Sequence, residues 1–128
     1  MNLNDIHYIQ DDNLSYLSSQ GVLLLNAALT VEKDKPGSHL EIWAPFTNYL
    51  LSEIIATTGV PVLYLGSQAA QLSVVTATTN PSYVLNHPAH AAYTGKPWET
   101  EGVFTKINKH IWDSNKDTIL WLPLDPPF

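Results

Sequence analysis

Gln20-Gly-Val-Leu-Leu-Leu-Asn-Ala-Ala-Leu-Thr-Val31 opens on an aliphatic run and passes at Asn26 into an amide and small residues. Unbroken apolar character, without the alternation of a half-exposed strand, is what a β-strand covered on both faces carries. Two more runs of this kind follow, Pro61-Val-Leu-Tyr-Leu-Gly66 and Tyr83-Val-Leu-Asn86. Between the first two, Leu40, Trp43, Phe46 or Thr47, Leu50, Ile54 and Ile55 recur at three- and four-residue spacing. That spacing predicts an amphipathic helix within 38–58, with Pro45 either kinking it or marking its first turn. Further helices are predicted over 13–20, 68–77 and 102–113, the last with Val103, Phe104, Ile107 and Ile111 on one face. Strands alternating with helices imply parallel pairing through right-handed crossovers. The expected fold is therefore a three-layer α/β sandwich around a short parallel sheet of about three strands. Ligands in such sheets sit beyond the carboxyl ends of the strands. Those ends would bring Asn26, the Gly66-Ser67 turn and Asn86-His87 around one cleft.

The remaining composition bounds the class. A chain of 128 residues with 45% apolar content reads as one packed domain over 1–128, with no repeat, linker or low-complexity tract. No apolar run approaches the roughly 18 residues that a membrane helix requires. Residues 1–13 carry Asp5, Asp11 and Asp12 and no Lys or Arg, unlike a secretory signal. Without cysteine there is neither a disulfide nor a thiolate zinc site. These features are those expected of an intracellular protein, in cytoplasm, nucleoid or nucleus. Six lysines and no arginine stand against twelve acidic residues, giving a net charge of −6. Displacing counterions from a nucleic-acid backbone relies on Lys and Arg, so the balance disfavours DNA. A local patch from Lys96, Lys106, Lys109 and Lys116 is the exception to weigh against plain surface lysines.

His87 and His90 have a spacing found among metal ligands, but no third ligand accompanies them, and neither metal nor cofactor is expected. Trp43, Trp112 and Trp121 read as packing residues. Trp98, in Gly95-Lys-Pro-Trp98-Glu99, would anchor a protein partner if exposed, with Glu99 and Glu101 beside it. The stretch Thr76-Ala-Thr-Thr-Asn-Pro81 reads as a surface connection and 123–128 as an extended tail.

In order along residues 20–123, the chain resembles the family 1 uracil-DNA glycosylases. The 20–31 stretch is similar to the strand and loop carrying that family's uracil-reading asparagine. Ser38-His39 with Trp43, Phe46 and Thr47 resembles the following helix, and Leu65-Gly66-Ser67-Gln-Ala-Ala-Gln71 the next strand end. His87-Pro88, Tyr93-Thr-Gly95 and Val103-Phe-Thr-Lys-Ile-Asn108 resemble its leucine-loop region and last helix. The resemblance implies metal-free hydrolysis of the glycosidic bond of a flipped-out uracil. It also implies that Asn26 reads the uracil amide edge and that His87 stabilises charge on the departing uracil carbonyl oxygen. Ser67 would touch DNA phosphate.

Two departures bear on activity. The family's water-activating aspartate lies in a Gln-Asp-Pro-Tyr-His segment, and nothing in residues 1–20 is similar to it; Gln10-Asp11-Asp12 lacks the continuation. The family's His-Pro-Ser-Pro-Leu loop is here His87-Pro88-Ala89-His90-Ala91. Ala89 offers no hydroxyl to phosphate, and Ala91 is too short to fill the gap that a flipped base leaves. By the resemblance, a strand is also lost between those at 22–26 and 62–66, leaving them to pair directly or to keep open edges.

The expectation is thus a non-catalytic glycosylase-like protein that binds a protein partner or a second copy of itself. Such a remnant suits a viral product directed at host replication, repair or transcription machinery. The alternatives are the carboxy-terminal part of a split uracil-DNA glycosylase, or a non-cleaving binder of uracil or single-stranded DNA.

Overall fold

The computed structural model describes residues 14–122. Residues 1–13, with Gln10-Asp11-Asp12, and the expected tail at 123–128 lie outside them. Among the described residues the elements run α1 (Ser15–Ser18), α2 (Leu40–Tyr49), β1 (Val62–Leu65), α3 (Ser67–Ala70), α4 (Ser73–Thr76), β2 (Ser82–Leu85), α5 (Pro88–Thr94) and α6 (Val103–Asn115). β1 and β2 pair in parallel with Val62 opposite Ser82 and Leu65 opposite Leu85. The α/β organisation with parallel pairing through a helical crossover is the one expected, and the sheet among the described residues has these two strands.

One face of the pair is apolar. Leu63 and Leu65 of β1 and Tyr83 and Leu85 of β2 pack against Val103, Phe104, Ile107 and Ile111 of α6. Spacings of three and four residues put those α6 side chains on a single stripe, as helix geometry requires. Phe104 lies between Trp98 and Trp121, with ring centroids at 5.8 and 4.7 Å. Burying a side chain such as Leu85, Val103 or Ile107 contributes about 1.5–3 kcal/mol each.

The other face is polar at its centre. Tyr64 Oη is 2.7 Å from Thr76 Oγ1, which is 2.8 Å from Ser82 Oγ. Asn80 Nδ2 donates to the carbonyls of Ile55 and Val60 at 3.1 and 2.8 Å. Thr76 is 0% exposed and Asn80 5%, so the two ends of the 76–81 connection are anchored in the interior while residues 77–79 are exposed, as expected of a surface connection. The Thr76 and Asn80 side chains are tolerated there because each finds a hydrogen-bond partner. α4 packs on β2 and on the end of the long helix, completing the third layer.

The predicted helix within 38–58 begins as α2 and continues through a π turn (Leu50–Ile54) and a 3₁₀ turn (Ile55–Thr57). Pro45 stands inside α2, where its ring lacks the N–H that would reach the Glu41 carbonyl. The predicted 68–77 helix is divided into α3 and α4.

The first apolar run departs from expectation. Residues 22–26 belong to no strand or helix. A strand forms only where a neighbour accepts its backbone bonds, and here no neighbour is present among the described residues. No helix among those residues is long and apolar enough to cross a membrane.

Thr76→Val keeps the shape of the buried polar centre and removes its shared hydroxyl. The expected cost is about 1–3 kcal/mol, because Tyr64 Oη and Ser82 Oγ lose a partner. Equilibrium urea unfolding checks this; an unchanged midpoint would contradict the role given to Thr76.

Candidate functional site

β1 ends at Gly66, whose φ of 93° and ψ of 165° suit glycine alone. That turn directs Ser67 sideways toward the end of β2, and a Cβ at Gly66 would lie 3.5 Å from the His87 Cβ. Parallel register does the rest, since the residues after Leu65 and Leu85 emerge side by side. The resulting open cleft, about 430 Å³, is lined by Leu65, Gly66, Ser67, Gln68, Asn86, His87 and His90.

His87 is the N-cap of α5, and its Nδ1 accepts the Ala89 N–H at 3.1 Å. An imidazole nitrogen that accepts carries no proton, so this bond selects the neutral tautomer protonated at Nε2. The Nε2–H is left as a donor at the mouth of the cleft. Pro88 follows at the first helical position, where a missing N–H has no cost. His90 lies one turn further on, its N–H donating to the His87 carbonyl at 2.9 Å.

The 30–39 loop, which meets the cleft residue Gln68 at Gly37, is held by its own hydrogen bonds. Trp43 Nε1 donates to Thr30 Oγ1 at 2.8 Å, and Thr30 Oγ1 lies 2.8 Å from His39 Nδ1. Ser38 Oγ accepts the Glu32 N–H at 2.8 Å. Gly37 approaches the cleft residue Gln68 so closely that a Cβ there would sit 3.1 Å from the Gln68 amide nitrogen.

The chain thus brings two of the expected site residues, Ser67 and His87, into one cleft. Asn26 is exposed at the end of the unpaired 22–25 run and is not among the lining residues. Trp98 is half-buried: it stacks edge-on against Phe104, and its Nε1 donates to the Asn86 carbonyl at 2.9 Å. Its indole therefore braces β2's end from within, which corrects the expectation of an exposed anchor; Glu99 and Glu101 remain exposed beside it. Gln68 was not singled out by sequence, and His90 was weighed there only for its metal-ligand spacing from His87. Their signals were adjacency to Ser67 and the three-residue helical offset from His87.

Of the lysines, Lys106 and Lys109 meet Tyr83, His110 and Asp113 at a separate groove of about 280 Å³. Asp113 holds the Lys109 ammonium above its ordinary pKa, first by a hydrogen bond at 2.8 Å and then by its charge. That pairing subtracts one cation from the patch, and Lys116 instead lies 5.9 Å from the Trp112 ring centre. No group of three His, Asp or Glu side chains able to hold a metal occurs among the described residues.

A sequence model described as the Uracil DNA glycosylase superfamily matches residues 3–111. The chain belongs to that superfamily. Among relatives named uracil-DNA glycosylase, one from Streptococcus suis (strain 05ZYH33) is 32% identical over 93% of this chain and 56% of its own length. One from Buchnera aphidicola subsp. Baizongia pistaciae is 39% identical over 80% of the chain and 46% of its own length. A third, from Helicobacter pylori (strain P12), is 33% identical over 76% and 42% respectively. The chain spans about half the length of the curated relatives it matches. Membership in the superfamily agrees with the ordered resemblance read from residues 20–123.

The His87 tautomer is directly measurable. Long-range ¹⁵N–¹H correlation of the imidazole is expected to show Nδ1 unprotonated and Nε2 protonated at neutral pH. A ring protonated at Nδ1 would contradict the capping bond.

Proposed function

We propose that this chain supplies the uracil-reading and leaving-group half of a uracil-DNA glycosylase, completed by a polypeptide that brings the water-activating carboxylate. In the reaction the bond between the deoxyribose and uracil N1 breaks, and its electron pair leaves with uracil, where it is shared with a ring carbonyl oxygen. The His87 Nε2–H donates to that oxygen, an oxyanion-type role. Water adds at the sugar carbon and gives up its proton to the supplied carboxylate. Asn26 holds the uracil amide edge through its paired donor and acceptor groups, and Ser67 meets the flanking phosphate.

The observation that carries this reading is the His87 geometry: a helix cap fixes the tautomer and leaves a neutral N–H donor in the cleft beside Ser67. Superfamily membership and the names of the relatives support the same reading.

A second reading is kept because specific features favour it. A net charge of −6 without arginine, and alanines at 89 and 91, weaken contact with duplex DNA. On that reading the chain binds a protein partner and cleaves nothing.

Uracil release from uracil-containing single-stranded DNA separates the two. The chain alone is expected to release none, and the chain combined with the uncovered portion of the Streptococcus suis relative is expected to release uracil. His87→Ala should lower the combined rate by about 10²–10³-fold, the effect of removing one oxyanion donor. Absence of release from every combination would contradict the glycosylase reading and leave the binding one.

A further inference from the structure

One flank of α6 is cationic in a chain that is acidic as a whole. Lys106, Lys109, His110 and Asp113 recur at three- and four-residue spacing on that flank. With Tyr83 of β2 they line a groove of about 280 Å³, which shares no residue with the His87 cleft. Among the described residues the ion pairs are Glu32–Lys35 and Lys109–Asp113, so the Lys106 ammonium stands in none. Two lysines against one aspartate leave the groove one positive charge, whereas the chain carries −6.

Tyr83 also belongs to a strand edge. The Val62 and Gly66 N–H groups reach the Pro81 and Leu85 carbonyls at 2.8 Å each. Alternation along this parallel ladder turns the Tyr83 and Leu85 backbone groups toward β1 and those of Val84 away from it. Among the described residues no strand pairs with Val84 on that outer side, and its side chain is 47% exposed. Side chains alternate along a strand, so Tyr83 and Leu85 face α6, which they pack against, and Val84 faces the other way. A strand laid against this edge would thus show one row of side chains to the α6 flank and the other row to Val84. A free edge beside a helix is a place where an extended peptide adds to a sheet, its backbone bonds supplying affinity and its alternate side chains specificity.

Size and charge select the occupant. At about 280 Å³ the groove falls below the roughly 300–1,000 Å³ of small-molecule sites, and it suits one side chain of a larger partner. Its single positive charge matches a carboxylate. A nucleic-acid backbone would bring a run of phosphates, which Asp113 in the groove opposes. A second copy of the chain, paired edge to edge about a two-fold axis normal to the sheet, would set two cationic flanks side by side. We propose that the β2 edge and the α6 flank form a docking groove for an extended segment of a protein partner in which acidic and apolar residues alternate. The backbone of that segment pairs with the Val84 N–H and carbonyl, and its apolar side chains pack on Val84. An acidic side chain lies between Lys106 and Lys109, the second of which Asp113 holds in place at 2.8 Å. The surface takes no part in uracil chemistry, so it stands or falls apart from the function proposed above.

The test is fluorescence anisotropy of the 128-residue chain with short capped peptides of alternating residue types. A valine–glutamate peptide is expected to bind at least tenfold tighter than a valine–glutamine one. Lys106→Glu should abolish that preference and make a valine–lysine peptide the tighter ligand. Lys33→Glu, the same charge change at another exposed site, should leave the preference in place. Lys106 is exposed, so the fold should survive its replacement, and circular dichroism checks that. Only one alternate set of peptide N–H groups can face the β2 edge. N-methylation of either all valines or all glutamates should therefore cost at least tenfold, and methylation of the other set should cost little. The Val84 amide should become protected from hydrogen exchange when the unmethylated peptide binds. No binding of the valine–glutamate peptide at millimolar concentration overturns the proposal, as does equal affinity for the glutamine peptide. Binding indifferent to both methylations overturns it too, because no strand would then have been added. Displacement of the peptide by oligothymidylate would give the groove to nucleic acid instead, and a dimer of the chain alone that Lys106→Glu dissolves would give it to a second copy.

Discussion

A strand in a sheet must place its backbone donors and acceptors on both sides, and the parallel pairing of β1 with β2 meets that demand on one side only. The Val62 and Gly66 N–H groups reach the Pro81 and Leu85 carbonyls at 2.8 Å each. The alternation of a parallel ladder then turns the Leu63 and Leu65 backbone groups away from β2. From this single pairing follow the apolar layer under α6, the polar centre at Thr76, and the alignment of Gly66-Ser67 with Asn86-His87. Among the described residues the same requirement is unmet at 22–25, where three leucines are exposed. The structure is well ordered where a strand has its neighbour and bare where it does not.

Much of the fold was readable from local pattern. Unbroken apolar runs marked β1 and β2, whose Leu63, Leu65, Tyr83 and Leu85 join the core, and the four-residue recurrence of Val103, Ile107 and Ile111 marked α6. The first run carried the same signal and formed no strand, because strand formation depends on a partner that a local pattern cannot supply. Thr76 and Asn80, at the two ends of the 76–81 surface connection, are buried, which their polarity did not announce. Polarity there reads as solvent contact until Tyr64, Ser82 and two backbone carbonyls are seen to satisfy it.

The site was legible in part. Strand ends nominated Ser67 and His87, and topology alone brings them together. The resemblance assigned roles, but the feature that prepares His87 chemically is its capping bond to Ala89, a matter of three-dimensional geometry. Trp98 looked like an anchor because Pro and Glu surround it; its indole N–H instead meets the Asn86 carbonyl and stiffens the β2 end that carries His87. Asn26 stands apart from the cleft for the same reason that the leucines before it are exposed.

Amide hydrogen exchange on the chain alone bears most directly on this. Tyr64 and Leu85, whose N–H groups lie inside the β1–β2 ladder, should exchange slowly, while Leu23, Leu24 and Leu25 should exchange at nearly the rate of an unstructured peptide. Protection of those leucine amides comparable to that of Tyr64 would contradict the open edge, because it would show that the chain already provides the strand's partner.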